Sequence, residues 1–197
     1  MILRARIGAK LRPCCQRHFT GVAAASVLTQ QRHKPAQALD APRELLIAVP
    51  DMHSQVNLAR IVRAAALFGV PEIIAAGKGR MDRDVSLGAE QHVAIRSVRS
   101  LTHPLKRLRA DGWSVVGLEQ TEKSQSLFTF EFPERTVLLV GHERHGITDE
   151  LLAQCDRVVE IPTFGTHIGS HNASTAAIIA MYEYCRQKDA ACRGGDG

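Results

Sequence analysis

Short apolar runs alternate with longer, partly polar stretches over most of the chain beyond residue 40. ELLIAV (44–49) and RTVLLVG (135–141) contain few polar positions, as expected of strands that are buried on both faces. NLARIVRAAALFG (57–69) carries apolar residues at helical spacing and is followed by Pro71, which indicates a helix. The same criteria predict further strands at 72–77, 92–98, 113–119 and 157–162, and further helices at 102–110, 148–154 and 173–187.

This alternation predicts an α/β fold with a mostly parallel sheet flanked by helices, because both faces of such strands need apolar cover. Open parallel sheets bind their ligands outside the carboxyl ends of the strands. Three polar stretches follow predicted strands and are therefore candidate site loops: PDMHSQVN (50–57), GHERHG (141–146) and IPTFGTHIGSHNAS (161–174).

Charge divides the chain into a basic N-terminal segment and a nearly neutral body. Residues 1–39 hold seven lysines and arginines and no acid, whereas 18 basic and 20 acidic residues follow. Arginines interspersed with apolar residues at helical spacing, followed by an Ala/Ser/Thr-rich stretch, are typical of an organellar transit peptide. We expect a mitochondrial address ahead of a plastid one. A cytoplasmic protein with a disordered basic tail that helps to hold RNA is the alternative.

Histidines and serines in the candidate loops suggest a metal or hydrolase site, but their spacing does not support one. His142 and His145 are three residues apart in a glycine-bounded loop, whereas the zincin pattern places two histidines four apart on a helix. Ser170 and His171 are adjacent, and the G-x-S-x-G turn that presents a nucleophilic serine is missing. The five cysteines form no CxxC pair. We therefore predict no metal site. Separately, no apolar run approaches the ~20 residues that a membrane-spanning helix needs.

Basic residues between positions 96 and 109 form a candidate RNA contact. Clustered lysines and arginines supply most of the nonspecific affinity for nucleic acid, although a solvated helix face accounts for the same pattern. Asn57 and Arg63 are nearly two turns apart on the first predicted helix, so we expect both along one edge near the first strand. The predicted RNA-binding residues are Arg63, Arg96, Arg99, Lys106, Arg107 and Arg109.

Three ordered motifs in residues 44–187 resemble the SPOUT superfamily of RNA methyltransferases, and within it the SpoU or TrmH branch that methylates ribose 2′-hydroxyls. The motifs are NLARIVRAAALFGV, LLVGHERHGITDELLAQCDRVVEIP and GSHNASTAAIIAMYEYCRQ. GLEQTEKS (117–124) and GAEQ (88–91) are most similar to the eukaryotic tRNA members of the branch. The positions that match the motifs are Asn57, Arg63, Gly141, Glu143, Ser170 and Asn172.

The resemblance implies a homodimeric enzyme that uses S-adenosylmethionine to methylate RNA, with a C-terminal trefoil knot in the α/β domain. The methyltransferase domain is then expected at 40–190, followed by a flexible C-terminus at 191–197. The tRNA members of the branch methylate the D-loop guanosine at position 18, which favours tRNA as the substrate. Ribosomal RNA is the same-class alternative, and a non-catalytic RNA-binding relative of the same fold is the other.

The resemblance also implies which residues form the site. The cofactor-binding residues are Leu118, Leu139, Gly141, Ile161, Ser170, His171 and Asn172, and the catalytic residues are Arg63, Asn57, Glu143, Ser170 and Asn172. Because guanidinium stays protonated in proteins, Arg63 is expected to hold a phosphate and to stabilise the forming alkoxide. Asn57 is expected to orient Arg63 or the ribose, and Glu143 to position Arg63 or the neighbouring loop. Ser170 and Asn172 are expected to contact the cofactor carboxylate or a substrate phosphate.

Three features depart from the family pattern, and the first is His142, which stands where a small polar residue or Asn is common. His171 stands where the third motif usually has an apolar residue, and the loop from Ile161 to Ser170 is one residue longer than usual. Asn172 also precedes the last predicted helix at an N-cap-like position.

Overall fold

A seven-stranded sheet, in which every pair of neighbouring strands is parallel, organises the computed structural model of the chain. The structure describes Pro35 and residues 37–165 and 169–193, so most of the predicted N-terminal segment lies outside the described residues. The strands are β1 (Leu45–Val49), β2 (Glu72–Ala76), β3 (Ala94–Val98), β4 (Ser114–Leu118), β5 (Gln125–Ser126), β6 (Thr136–Val140) and β7 (Arg157–Glu160). Their order in the sheet is β3-β2-β1-β6-β4-β7-β5, which confirms the predicted parallel α/β architecture.

Helices cover both faces of the sheet and bury its alternating apolar side chains. The helices are α1 (Gln55–Phe68), α2 (Arg83–Ser86), α3 (Thr102–Ala110), α4 (Asp149–Leu152) and α5 (Ala173–Arg193), with a short 3-10 helix at Ala89–Gln91. On β6, Leu138 and Val140 join the core beneath α1 and α5, whereas Val137 and Leu139 join the core beneath α3 and α4. This period-2 alternation sends each strand residue to a defined side of the sheet.

Local signals set the limits of α1. Ser54 is the N-cap, and its hydroxyl accepts a hydrogen bond from the Asn57 N–H at 3.4 Å. Gly69 ends the helix in the left-handed conformation, with φ 71°, and its N–H bonds back to the carbonyls of the last turn. Asn57 therefore lies in the first turn of α1, beside the carboxyl end of β1, as the sequence predicts.

Three short elements, α2, the 3-10 helix and β5, are absent from the sequence prediction. Each spans only two to four residues, too few to show a period. Helix α5 runs to Arg193 and thus enters the segment 191–197 that is predicted to be flexible, while residues 194–197 lie outside the described residues. Within the described residues, no helix is both long and apolar enough to span a membrane.

Candidate active site

A cavity of about 490 Å³ opens at the carboxyl ends of β4, β6 and β7. Two of the three candidate loops, GHERHG and the loop after β7, form its walls, because the carboxyl ends of parallel strands meet at one edge of the sheet. The lining includes six of the seven residues predicted to bind the cofactor: Leu118, Gly141, Ile161, Ser170, His171 and Asn172.

Leu139 is the exception among the predicted cofactor residues. It is fully buried in the core beneath α3 and α4 and does not line the cavity. The next residue, Val140, lines the cavity instead, because successive residues of a strand point to opposite faces. The side chain of Leu139 therefore does not reach a ligand in this cavity.

Glu119, which directly follows β4, fixes the shape of the GHERHG loop. Its Oε2 atom accepts a hydrogen bond from the Ile147 N–H at 2.8 Å, and His142 and Gly146 exchange two backbone hydrogen bonds of 2.9 Å. Gly146 has φ 64°, and a β-carbon there would overlap the Glu119 carboxylate. The loop therefore needs glycine at this position, for its backbone conformation and for the close approach of Glu119.

Glu143 joins the GHERHG loop to the start of α1. Its Oε1 atom accepts hydrogen bonds from the Ser54 N–H at 3.1 Å and from the Asn57 amide at 3.0 Å, and its Oε2 atom from the His53 N–H at 3.3 Å. Burial raises the pKa of Glu143, but these bonds and one from its own N–H outweigh burial and hold the pKa below its ordinary value. Glu143 is therefore an ionised carboxylate at neutral pH, held by four donors.

The network continues from Asn57 to the N-terminus of α5. Asn57 is 4% exposed, and its Oδ1 atom lies 3.3 Å from the hydroxyl of Ser174, which is fully buried. The Ser174 hydroxyl also lies 2.7 Å from Asn172 Oδ1, so its single proton is shared in a three-centre hydrogen bond in which Asn172 Oδ1 is the nearer acceptor. Glu143, Asn57, Ser174 and Asn172 thus connect two loops and two helices around one side of the cavity.

Asn172 caps α5, which confirms the predicted N-cap position. Its Oδ1 atom accepts hydrogen bonds from the Ser174 N–H at 2.9 Å and the Thr175 N–H at 3.4 Å. Ser170 and His171 are exposed at the rim of the cavity. His167, between them and β7, lies outside the described residues.

Arg63 lies apart from this network. It is exposed on α1 and does not line the cavity, and its side chain makes no hydrogen bond or ion pair with another described residue. Six helical residues correspond to about 600° of rotation, so Arg63 points roughly 120° away from the buried Asn57. Within one chain, Glu143 and Asn57 therefore do not position Arg63, and of the two roles predicted for Glu143 the contact with the neighbouring loop is the one present.

The sequence model of the SpoU rRNA Methylase family matches residues 44–182, which include both motif loops and the first half of α5. The chain belongs to this family. Its matched region begins one residue before β1 and carries the Glu143 network throughout.

Two curated relatives of this SpoU family member are tRNA (guanosine(18)-2′-O)-methyltransferases. The mouse protein TARBP1 is 32% identical over 154 residues, which are 75% of this chain and 10% of the relative. The enzyme of Escherichia coli K12 is 26% identical over 148 residues, 74% of this chain and 64% of the relative. The chain thus spans less than two thirds of the length of either relative.

Solved structures show the same fold. The A. aeolicus TrmH/SpoU tRNA modifying enzyme superposes with a TM-score of 0.71 at 24% identity, over 75% of this chain and 77% of that one. The SpoU methyltransferase AviRb from Streptomyces viridochromogenes, in complex with AdoMet, has a TM-score of 0.66 at 27% identity, over 79% of this chain and 66% of that one.

In this SpoU family member, the basic residues predicted to bind RNA fall into two groups. Arg96 is bound by Glu72 on the neighbouring strand, and Arg109 by Asp156 at 2.6 Å. The others are exposed and make no ion pair with another described residue: Arg63, Arg99, Lys106 and Arg107. Only the second group presents a charge that no acid already neutralises.

Sequence reasoning missed Glu119 and Ser174, whose contacts shape the candidate site as much as those of the motif residues. Ser174 bonds across 117 residues of sequence to Asn57, and Glu119 across 28 residues to Ile147. Glu119 does follow a predicted strand directly, and Ser174 is the second residue after the capping Asn172. Those two positional signals are the ones available in the sequence. No group of three or more histidine, cysteine or acidic side chains suited to a metal ion occurs among the described residues.

Proposed function

We propose that this protein is an S-adenosylmethionine-dependent RNA 2′-O-ribose methyltransferase that acts on tRNA, with the D-loop guanosine at position 18 as its target. The observation that carries the proposal is the Glu143–Asn57–Ser174–Asn172 network, which joins all three candidate loops beside one cavity at the carboxyl edge of the sheet. The two tRNA-methylating relatives each match about three quarters of the chain.

The cavity suits S-adenosylmethionine in size and in charge. Its volume of about 490 Å³ lies in the range of small-molecule sites. The charged side chains of its lining are three carboxylates, Glu119, Glu143 and Glu160, and one arginine, Arg144. A net negative lining favours a ligand that carries ammonium and sulfonium cations. Leu118, Val140 and Ile161 add an apolar wall.

The chain contributes positioning and charge to the reaction. When bound, S-adenosylmethionine supplies a methyl group that its sulfonium already activates as an electrophile. Transfer of this methyl group would form a bond from the ribose 2′-oxygen to the methyl carbon and leave the sulfur as a neutral thioether, and the hydroxyl proton would pass to a phosphate oxygen or water. Asn57, which is 4% exposed and lines neither cavity, holds Glu143 at the cavity wall, and Arg63 binds the phosphate next to the target ribose and stabilises the forming alkoxide.

A homodimer brings Arg63 into this scheme. Arg63 and Leu67 lie four residues apart and so share one side of α1, where Leu67 is 77% exposed. Tyr182 on α5, 58% exposed, packs edge-on against Phe68 with ring centroids 6.4 Å apart. A second copy that covers this apolar surface places Arg63 at the subunit interface. Size-exclusion chromatography with light scattering tests for the dimer.

The C-terminal trefoil knot is part of the same proposal. The chain leaves β6, passes β4 to reach β7 and then returns through α5 to pack against α1 on the other side of the sheet centre. This path supports a knot that involves the loops around the cavity. An experimental structure traced through residues 161–172 tests it.

A mitochondrial location is proposed from the N-terminal sequence. Residues 1–39 are basic and free of acids, as in transit peptides. A fluorescent fusion to this segment tests the proposal. Signal in plastids or in the cytoplasm would contradict it, and the cytoplasmic outcome would favour the basic RNA-holding tail.

Methyl transfer from labelled S-adenosylmethionine to a tRNA transcript tests the function. We expect label in a transcript with guanosine at position 18 and none when that ribose is 2′-deoxy. Incorporation of label into ribosomal RNA but not into tRNA would favour the alternative substrate, ribosomal RNA, which is the one in the family's name. Calorimetry tests whether the protein binds S-adenosylmethionine. If it detects no binding at millimolar cofactor, the enzyme proposal fails and the alternative of a non-catalytic RNA-binding protein is favoured.

A further inference from the structure

A second cavity, of about 390 Å³, opens at the carboxyl ends of β1 and β2. It is separate from the first cavity and shares no lining residue with it. Its wall combines apolar side chains with two cations and one acid: Asp51, Met52, His53, Leu58, Lys78 and Arg80. No residue of this cavity belongs to the cofactor or catalytic sets described above, so its composition needs an explanation of its own.

One loop forms a wall of the second cavity and contacts the first. Asp51, Met52 and His53 line the second cavity. The N–H groups of His53 and Ser54 donate to Glu143, which lines the first cavity. A ribose bound beside Glu143 in the first cavity therefore lies next to this loop, and the base attached to that ribose has the second cavity within reach.

Glycine at position 77 leaves room for the Asp51 carboxylate. Gly77 has φ 73°, and a β-carbon there would overlap Asp51 Cγ and Oδ1. Asp51 is exposed to the cavity and makes no hydrogen bond or ion pair with another described residue. The carboxylate is thus set closely against the backbone of the turn after β2 with its acceptor oxygens unused.

Lys78 and Arg80, on the same turn, are also exposed and without an ion-pair partner among the described residues. They line the same cavity as Asp51 yet do not pair with it. A ligand that complements both an acceptor and two cations has hydrogen-bond donors at one end and negative charge at the other. A nucleotide with a donor-bearing base is such a ligand, and Met52 and Leu58 offer apolar surface for the plane of the base.

Among the four RNA bases, guanine alone presents two adjacent N–H donors, N1–H and N2–H, on its Watson–Crick edge. A carboxylate accepts both at once through its two oxygens. We propose that the second cavity binds the nucleotide whose ribose is methylated, with Asp51 recognising its guanine base and Lys78 and Arg80 contacting the flanking phosphates. The inference rests on the proposed function and assigns the base selectivity of that reaction to Asp51.

The test compares methyl transfer to RNA substrates that differ only in the target base. The substrates carry guanosine, inosine, which lacks the N2 amino group, or adenosine. We expect wild-type protein to prefer guanosine to inosine about tenfold or more in kcat/KM, the value of a hydrogen bond to a charged group. In Asp51→Asn we expect this ratio to fall to within about threefold of one. The relative rate on adenosine should rise, because an amide matches the donor and acceptor of the adenine edge.

Asp84→Asn is the matched control, since Asp84 is exposed on α2 and does not line the cavity. It should keep the wild-type ratio. Comparing ratios between proteins cancels any effect of the base change on RNA folding. An Asp51→Asn protein that binds S-adenosylmethionine normally and keeps the wild-type ratio would overturn the inference, and so would a wild-type protein that does not distinguish guanosine from inosine. Both outcomes leave the proposed function intact. Only a wild-type protein that methylates none of the three RNAs would overturn the function and the inference together.

Discussion

The two cavities at the carboxyl edge of the sheet differ in whether their polar side chains are bonded within the protein. Beside the first cavity, Glu143, Asn57 and Asn172 are bonded to one another or to backbone groups, through the buried Ser174. In the second cavity, Asp51, Lys78 and Arg80 have no such partners among the described residues. The same protein thus holds one set of polar groups in fixed positions and leaves another set available.

This difference separates two ways of contributing to a reaction. Groups that are already hydrogen-bonded stay in position and cost little reorganisation when substrate binds. Exposed groups without partners keep their bonding capacity for a ligand. Mutations in the first set should therefore alter stability as well as activity, whereas mutations in the second set should alter binding or turnover alone.

The largest effect is expected for Arg63→Ala, which removes an exposed group that has no partner among the described residues. Methyl transfer should fall at least about a hundredfold, because the variant loses the charge that stabilises the alkoxide. Thermal stability, dimer mass and cofactor affinity should stay as in the wild type. Arg60→Ala, on the exposed side of the same helix, is the control and should retain most activity. Wild-type turnover by Arg63→Ala would refute the role of this residue.

A weaker effect is expected for the double variant Lys78→Ala and Arg80→Ala. RNA affinity depends on salt through the number of phosphates that the protein neutralises, so the log–log salt slope should become shallower by about 1.5. Binding titrations between low and physiological salt measure this slope. Arg109→Ala removes a cation that Asp156 already pairs with, and should change the slope less. If both variants changed the salt slope equally, ion pairing would not determine which cations of the protein contact RNA phosphates.

Ser174→Ala tests the first set, where stability is expected to change. The variant loses the hydroxyl donor to Asn172 in a fully buried position, which should cost about 1 kcal/mol and lower Tm by about 2–4 °C. Ser97→Ala is the control, because Ser97 is exposed on β3 and its hydroxyl makes no hydrogen bond with another described residue. An unchanged Tm in Ser174→Ala would show that the network does not stabilise the fold.

The fold was predictable where complete burial of a strand produces an apolar run in the sequence. β1 and β6 are buried at every position, so LLIAV and TVLLV appear as uninterrupted apolar runs. The position of the cavity followed from the parallel sheet, because strand ends and their polar loops then meet at one edge. Asn172 was recognisable as a cap from its place before an apolar helix.

The site was less predictable where it depends on contacts between distant segments. Nothing near Ser174 in the sequence indicates that its hydroxyl lies against Asn57, 117 residues away. Arg63 shows a different failure, since six residues along a helix already imply that it leaves the face of Asn57. Resemblance to a family identified Asn57 and Arg63 as site residues. It did not show that the two side chains lie apart within one chain.

The smallest effect is expected from the pH dependence of the Glu143 bonds. Its folded-state pKa lies below its ordinary value because its hydrogen bonds outweigh burial, so ionised Glu143 stabilises the fold at and above the unfolded pKa. This contribution should be lost as the pH falls through the folded-state pKa. Urea unfolding of wild-type and Glu143→Gln proteins measures it, and the wild-type advantage at pH 7 should shrink in acid. Glu122→Gln, an exposed control without a hydrogen-bonded side chain among the described contacts, should follow the wild-type curve. A wild-type advantage that persists unchanged in acid would mean that the carboxylate charge does not hold the two loops together.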